Sequence, residues 1–178
     1  MHNAILQFWF DELTPAQWWK VDPQLDRLIS ERFAEIHGQA NRCELFAWRD
    51  EPEGRLAEII VLDQFSRNIF RGTPAAFASD PLALALAQEA VALAVDMALP
   101  QQQRNFLYLP YMHSESKRIH AVAEPLFKAN ASKDSHHFEV RHKAIIDRFG
   151  RYPHRNAILA RESSKEELAF LKEPGSAF

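Results

Sequence analysis

Three dipeptides place a helix-capping side chain directly before a proline: Thr14-Pro15, Asp22-Pro23 and Asp80-Pro81. A side-chain oxygen at the cap accepts a hydrogen bond from the first helical turn, and proline suits that turn because its missing N–H has no partner there anyway. The chain has only five glycines, and it has almost no stretch in which apolar and polar residues alternate, as they do along half-buried strands. These patterns predict an all-α fold.

The helices themselves are predicted from the start signals and from the spacing of apolar residues. They lie near residues 3–11, 23–40, 53–70, 81–96, 101–109, 114–130, 134–149, 154–160 and 164–172. Gly150 is expected to end one helix, Pro125 to kink or break another, and Ser163-Ser164-Lys165-Glu166 to form a capping box. Because no linker divides the chain, we expect one all-helical domain over 1–173 and a frayed tail over 174–178.

Composition and charge limit the classes of partner. The net charge of -3 and the pI near 6.2 argue against general binding of nucleic acids or acidic membranes. No apolar run is long enough for a membrane span and the N-terminus lacks the features of a signal peptide, so we expect a cytoplasmic protein. A single cysteine, Cys43, rules out an internal disulfide and a cysteine-based zinc cluster. No cofactor is expected, and the oligomeric state is left open.

Polar residues interrupt the apolar stripes of several predicted helices. Asp63 and Arg67 continue the core-facing stripe of 53–70 as an i,i+4 pair, and His142 lies in the middle of the stripe of 134–149. A charge on a buried face is costly unless it is paired or meets a polar cavity. We therefore expect these interruptions to meet one another. The candidates from these helices are Asp63, Gln64, Arg67, Asn68, His113, Glu115 and His142.

The segment 148–161, RFGRYPHRNAILAR, holds four arginines, one histidine and no carboxylate. Its cations outnumber the two carboxylates, Asp63 and Glu115, that are predicted to face them. Pro153-His154-Arg155-Asn156 is typical of the first turn of a helix, where free N–H groups attract anions. Arginine also offers planar, two-point donors. The segment adds Arg151, His154, Arg155, Asn156 and Arg161 to the site and predicts a pocket for a small anionic ligand.

Two other interpretations of these residues remain open. In the first, they form a closed structural network in which Asp63 binds Arg67 or another arginine and His142 is a satisfied core histidine. In the second, the protein is a hydrolytic enzyme. His142 or His154 would then act as a general base, Asp63 or Glu115 would orient it, and arginines would stabilise negative charge.

A metal site is not predicted. A set of His113, Glu115 and either His142 or His154 has suitable ligand types, but the chain has no HExxH helix and no set of cysteine ligands. The other histidines are assigned to the surface: His2, His37, His120, His136 and His137. Aromatic clusters are assigned to core packing rather than to ligand stacking, namely Phe8/Trp9/Phe10, Trp18/Trp19, Phe46/Trp48 and Phe106/Leu107/Tyr108.

Three motifs give the chain its resemblance to a known family. LDQFSRNIFRG (62–72), FLYLPYMHSES (106–116) and FGRYPHRNAILARES (149–163), with the opening ILQFWF and residues 18–33, resemble the signature segments of the bacterial domain of unknown function 924 family. The resemblance covers nearly the whole chain and includes all the candidate polar residues. It implies an all-α, tetratricopeptide-like fold of antiparallel helix pairs in a curved bundle, and it implies no activity.

The resemblance also brings one more hypothesis and three departures. Tetratricopeptide-like folds commonly serve as protein-interaction scaffolds, which predicts candidate residues on an exposed groove rather than on a buried face. Ser66 stands where the family pattern has proline, and we expect it to loosen a turn after Phe65. Tyr152 replaces a phenylalanine and Ala160 replaces a glycine, and both changes are expected to be conservative.

Overall fold

The structure, a computed structural model, describes residues 1–176, and its regular elements in that range are all helical. This confirms the predicted all-α class. The α-helices are α1 (His2–Gln7), α2 (Pro15–Trp18), α3 (Pro23–Asn41), α4 (Pro52–Ile60), α5 (Ser66–Ile69), α6 (Asp80–Ala92), α7 (Gln101–Met112), α8 (Lys117–Asn130), α9 (Lys133–Phe149) and α10 (Lys165–Phe170). Helix α8 packs along α9 and α7, and α1 packs on α4. The tetratricopeptide-like arrangement stays a prediction.

Most of the predicted helix ends agree with the structure. Asp22 caps α3 by accepting the backbone N–H of Gln24 at 2.9 Å, and Gly150 follows α9 in the left-handed conformation with φ of 71°. The capping box of α10 uses Ser164 and Glu167, one residue later than predicted. Helix α8 runs through Pro125 without interruption, so the predicted break is wrong.

The helix predicted over 53–70 is continuous but changes its winding. Helix α4 passes into a π-helical turn over Val61–Phe65, and α5 follows directly. Such wide turns hold an extra residue and are frequent at functional sites. This one carries Asp63 and Gln64, two of the candidate residues.

Ser66 lies inside this continuous helix, so the expected turn after Phe65 does not exist. Its hydroxyl donates to the carbonyl oxygen of Leu62 at 2.5 Å, and the Nε2 atom of His37 lies 2.7 Å from the same hydroxyl. His37 is thus buried and not at the surface, which corrects its assignment.

The helix predicted over 154–160 is also wrong. One 3₁₀ turn, Pro153–Arg155, is followed by irregular chain as far as α10. Ala160 adopts the left-handed region, with φ of 53°, and the N–H of Arg161 bonds back to the carbonyl oxygen of Asn156 at 2.8 Å. These two features close a turn in place of a helix.

The main core is built around large aromatic side chains. Trp9 packs edge to face on Phe106, with ring centroids 5.7 Å apart, and Phe8, Phe65 and Tyr108 are fully buried. The core assignment fails for two exposed aromatics, Trp19 and Phe46. A smaller cluster forms around Ile145, Ile146 and Tyr152. Here the stretch between α9 and α10, residues 150–164, packs on α9; we call this stretch the irregular segment.

Two observations bear on chain ends and membranes. Within residues 1–176, no helix combines the length and apolar character that crossing a membrane requires. The predicted frayed tail includes residues 177 and 178, which lie outside the described residues, so the boundary at 173 stays a prediction.

Candidate functional site

A cavity of about 810 Å³ collects the candidate residues that come from α5, α7, α9 and the irregular segment. It is open to solvent where its lining includes the exposed side chains of Trp19 (66%), Val21 (63%) and Phe138 (45%). The predicted site residues that line it are Gln64, Arg67, Asn68, His113, His142, His154 and Arg155. The expected convergence on a solvent-connected cavity therefore holds for these seven residues.

The five other candidates do not line the cavity: Asp63, Glu115, Arg151, Asn156 and Arg161. Asp63 lies directly behind the wall, where its carboxylate is 1% exposed.

Gln64 and Asn68 do not pair with each other as an i,i+4 pair. The amide of Gln64 donates to Asp63 Oδ2 at 2.6 Å, and that of Asn68 donates to Asp26 Oδ1 at 2.8 Å.

Arg67 is held by two carboxylates. Its Nη1 lies 3.2 Å from Asp63 Oδ1, and its Nη1 and Nη2 donate to Asp80 at 3.0 and 3.1 Å. The guanidinium also donates to the backbone carbonyl of Asp63 at 2.5 Å. Burial opposes its charge, but the two aspartates outweigh burial and raise the pKa of Arg67.

Arg155 lies between two aromatic rings. Its Cζ is 4.5 Å from the ring centre of Phe77 and 4.7 Å from that of Tyr152, an arrangement that favours a cation. Nη1 donates to Asp80 Oδ2 at 3.2 Å, whereas Nε is buried and has no hydrogen-bond partner among the described residues. Burial, together with nearby Arg67, lowers the pKa of Arg155. A buried donor without an acceptor is costly, so the guanidinium of this cavity-lining residue has hydrogen-bonding capacity that the protein leaves unused.

The partly buried His113 forms a pair with the buried Asp63. Its Nδ1 lies 2.7 Å from Asp63 Oδ1. Burial and then Arg67 lower the pKa of His113, while Arg67 and His113 together overcome burial and lower the pKa of Asp63. A carboxylate only accepts hydrogen bonds, so Nδ1 carries the ring proton and Nε2 is the unprotonated nitrogen of a neutral imidazole.

His142 and His154 flank Tyr152, with ring centroids 5.7 and 5.5 Å from the tyrosine ring. His142 Nδ1 lies 2.8 Å from the carbonyl oxygen of Phe138, one helical turn earlier. Burial lowers the pKa of His142 to about 3 and that of His154 to about 4. Both rings are therefore neutral at pH 7.

The surplus of positive charge predicted for the site is absent. Arg67 and Arg155 face Asp63 and Asp80, Arg71 binds Asp26, and the lining also holds Lys20 and Asp134, so the cations and carboxylates balance. The cations of the irregular segment are largely neutralised elsewhere, because Arg151 binds Glu167 at 2.6 Å. Counting charges within 148–161 missed the acidic residues that follow it.

Glu115 and Arg161 fasten the irregular segment to the bundle. Arg161 donates to both oxygens of Glu115, at 2.6 and 2.8 Å, and Glu115 Oε1 also accepts the backbone N–H of Tyr152 at 2.7 Å. Asn156 accepts from Arg161 Nε at 3.0 Å. These residues position His154 and Arg155 rather than facing the cavity themselves.

Sequence reasoning missed several residues of the site. Asp80 was assigned to a helix cap, although Ser79 holds that position and no side-chain cap bond forms. Tyr152 is more than a conservative replacement, since its hydroxyl donates to the carbonyl oxygen of Met112 at 2.5 Å. Trp19 and Phe106 line the cavity after being assigned to the core. The adjacent pair Trp18 and Trp19, followed directly by Lys20, was the available signal in the sequence.

His120 is buried and not on the surface. Its Nδ1 lies 2.7 Å from Glu139 Oε1, and its Nε2 lies 2.8 Å from the carbonyl oxygen of Ser114. Burial raises the pKa of Glu139. The pair lies behind Tyr152, whose hydroxyl is 3.2 Å from His120 Nε2, and it supports the cavity wall.

The hydrolase and metal hypotheses place Asp63 or Glu115 next to His142 or His154, and the structure gives both carboxylates other partners. Asp63 contacts His113 instead of orienting His142 or His154, and Glu115 is bound by Arg161. Among residues 1–176, no group of three or more His, Cys, Asp or Glu side chains is arranged to hold a metal ion.

These features define an all-helical protein with a solvent-connected cavity that has a polar, aromatic and arginine-bearing wall. The chain belongs to the family described as bacterial protein of unknown function (DUF924), whose model matches residues 5–175. A solved protein of unknown function from Agrobacterium tumefaciens is similar, with 38% identity, a TM-score of 0.91 and coverage of 96% of each chain. A comparison with curated proteins gave no match. The predicted resemblance is confirmed.

Proposed function

We propose that the protein binds a small anionic ligand in the cavity, with Arg155 as the main anchor. The observation that carries the proposal is the Nε of Arg155, a buried guanidinium donor that has no acceptor among residues 1–176, in a side chain that is 7% exposed. A carboxylate or phosphate oxygen would complete its hydrogen bonds. A cytoplasmic location is part of the proposal.

The balanced charges of the wall shape how an anion would bind. Two arginines already face two aspartates, so an incoming anion adds a negative charge that only a further cation offsets. The neutral rings of His113, His142 and His154 line the same cavity. An anion raises the pKa of a nearby imidazole, so binding is coupled to proton uptake and tightens as the pH falls towards that raised pKa.

Isothermal titration and thermal-shift measurements against a broad metabolite panel test the proposal. Anions that stabilise the wild type are expected to bind at least tenfold more weakly to Arg155→Ala and Arg67→Ala, with circular dichroism to check folding. Arg148→Ala is the matched control. Arg148 belongs to the arginine-rich stretch 148–161, but it lies at the end of α9, pairs with Glu166 at 2.9 Å and lies outside the cavity lining. The proposal fails if no anion in the panel binds, or if binding is unchanged in Arg155→Ala.

The Asp63–His113 pair favours a second candidate function, a hydrolase. Asp63 holds the imidazole ring of His113 through Nδ1. Because His113 lines the cavity, its unprotonated Nε2 is available as a general base for water. Arg155 would then stabilise developing negative charge. This arrangement uses His113 in the role that the sequence suggested for His142 or His154.

Screening with chromogenic esters, amides and phosphate esters tests the second candidate. His113→Gln is expected to abolish any hydrolysis and to leave ligand binding within a few-fold of the wild type. His137→Gln, a change of an exposed histidine outside the cavity lining, is the matched control.

A scaffold function is less well supported, because Asp63 and His142 are buried.

A further inference from the structure

We infer that the ligand is a monoanionic carboxylate with an apolar body, bound with its carboxylate at Arg155 and its body along α7 towards Trp19. This inference rests on the proposed function and names the class of ligand. It follows from how apolar and polar residues are ordered along the cavity wall, from the size of the cavity and from its charge balance.

Two helices show the same order of residues along the wall. On α7, Leu109 lies four residues before His113, and on α9, Phe138 lies four residues before His142. All four side chains line the cavity. Residues four apart lie on one face of a helix, about 6 Å from each other. Each helix therefore carries an apolar residue one turn before a histidine, and polar residues of the lining come before that apolar residue: Gln102 and Asn105 on α7, and Asp134 and Ser135 on α9.

The apolar end continues one turn further along α7. Phe106 lies three residues before Leu109, and the ring of Trp19 stacks on it with a centroid distance of 5.7 Å and an interplanar angle of 4°. Along the helix axis, Phe106 and His113 are about 10 Å apart. The buried arginine and two histidines gather at the other end, where Arg155 lies over Tyr152 and His142 and His154 flank the same ring.

The size of the cavity argues against a ligand that is only a head group. Cavities of about 300–1,000 Å³ hold drug-sized ligands, and this one is about 810 Å³. Acetate or inorganic phosphate would leave the exposed apolar wall formed by Trp19 and Phe138 in contact with water. An apolar body that covers this wall adds affinity in proportion to the area that it buries.

The charge balance selects a monoanion. Arg67 and Arg155 face Asp63 and Asp80, Arg71 is bound by Asp26, and the lining adds one further cation and one further carboxylate, Lys20 and Asp134. A carboxylate ligand therefore adds one negative charge to a balanced wall, which a single protonated histidine offsets. A phosphate monoester adds up to two charges and needs two histidines protonated side by side. Uncompensated charge in a buried site is costly, so a carboxylate is preferred to a phosphate on the same body.

Titration of the intact protein with a matched set of probes tests the inference: acetate, octanoate, 4-phenylbutanoate, octanamide and octyl phosphate. Each buried methylene raises affinity by roughly three- to fourfold, so octanoate or 4-phenylbutanoate is expected to bind at least tenfold more tightly than acetate. Octanamide and octyl phosphate are expected to bind at least tenfold more weakly than octanoate.

Two variants of exposed aromatics locate the body. Trp19→Ala is expected to weaken octanoate binding by about three- to tenfold and to leave acetate binding unchanged. Phe46→Ala, which removes an exposed ring outside the cavity lining, is expected to change neither. Equal weakening of acetate and octanoate in Trp19→Ala would count against the placement of the body.

The outcomes separate the inference from the proposed function. If acetate binds in an Arg155-dependent way and the longer carboxylates bind no more tightly, the inference fails and anion binding stands. Should octanamide match octanoate, the apolar body stands and the anionic ligand fails. Tighter binding of octyl phosphate than of octanoate overturns the choice of a monoanion. Absence of binding by all five probes overturns the inference, and the proposed function falls only if the broad anion panel gives no binder either.

Discussion

Arg67 and Arg155, which lie far apart in the sequence, bind the same carboxylate. Asp80 accepts Arg67 Nη1 and Nη2 at 3.0 and 3.1 Å and Arg155 Nη1 at 3.2 Å. Two guanidiniums held this close repel each other, and a shared carboxylate offsets that repulsion. Asp80 thereby keeps two cations beside the cavity and also limits how strongly they attract an anion.

Asp80→Asn separates these two effects. Removing the negative charge leaves two arginines facing Asp63 alone, so affinity for a ligand anion is expected to rise about tenfold, while the free energy of unfolding falls by about 2–4 kcal/mol. Titration calorimetry and urea unfolding measure the two changes. Asp134→Asn removes an exposed carboxylate that lines the cavity at the start of α9 and is expected to change affinity about twofold or less. Weaker anion binding in Asp80→Asn would contradict this account.

Glu115→Gln tests the attachment of the irregular segment. The change weakens the two-point bond to Arg161 and the acceptor for the Tyr152 N–H, so the free energy of unfolding is expected to fall by about 1–3 kcal/mol. Glu166→Gln removes the exposed partner of Arg148 and is expected to cost at most about 1 kcal/mol. Equal losses in urea unfolding would show that Glu115 has no special structural role.

Ala160→Gly tests the left-handed turn. Alanine with φ of 53° is strained relative to glycine, and the family pattern that places glycine here agrees with that conformation. The substitution is expected to stabilise the protein by about 1 kcal/mol. Ala169→Gly in α10 is the control, because glycine inside a helix is expected to destabilise by about 1 kcal/mol. A loss of stability in Ala160→Gly would contradict the assigned backbone conformation.

Stability is also expected to depend on pH through the buried histidines. Burial lowers the pKa of His154 to about 4, so the unfolded chain takes up a proton near pH 6.5 that the folded chain does not. The free energy of unfolding is therefore expected to be highest above about pH 6.5 and to fall as the pH drops towards 4. His154→Gln is expected to remove roughly 1–2 kcal/mol of this fall, measured by urea unfolding at pH 7.5 and 5.

The matched variant His137→Gln changes an exposed histidine. Its unfolding free energy is expected to follow that of the wild type between pH 7.5 and 5. If the two histidine variants give parallel curves, the neutral state assigned to His154 is wrong.

The helices could be predicted from local signals, and much of the site could not. Asp22 and Gly150 act within a few residues of themselves, so their roles at helix ends are visible in the sequence. The partner of a charge is a long-range property. Asp80 resembles a cap before a proline, yet its side chain binds Arg67 and Arg155.

Burial of polar residues was hardest to predict, and the reason is the choice of face. His120 lies on a face of α8 that looks polar in the sequence. In the structure, Glu139 of α9 lies 2.7 Å from its ring, and a buried partner removes the cost of burying the ring. Asp63 and His142 were placed correctly on the buried side, because they continue an apolar stripe. The stripe does not specify that Asp63 orients His113.

The irregular segment between α9 and α10 contributes both His154 and Arg155 to the cavity, although its only regular element is one 3₁₀ turn. Local openings in proteins begin where regular backbone bonding is sparse. A ligand that binds Arg155 is therefore expected to slow the local opening of this segment. Occupancy of the cavity is then measurable as slower amide hydrogen exchange over residues 151–163.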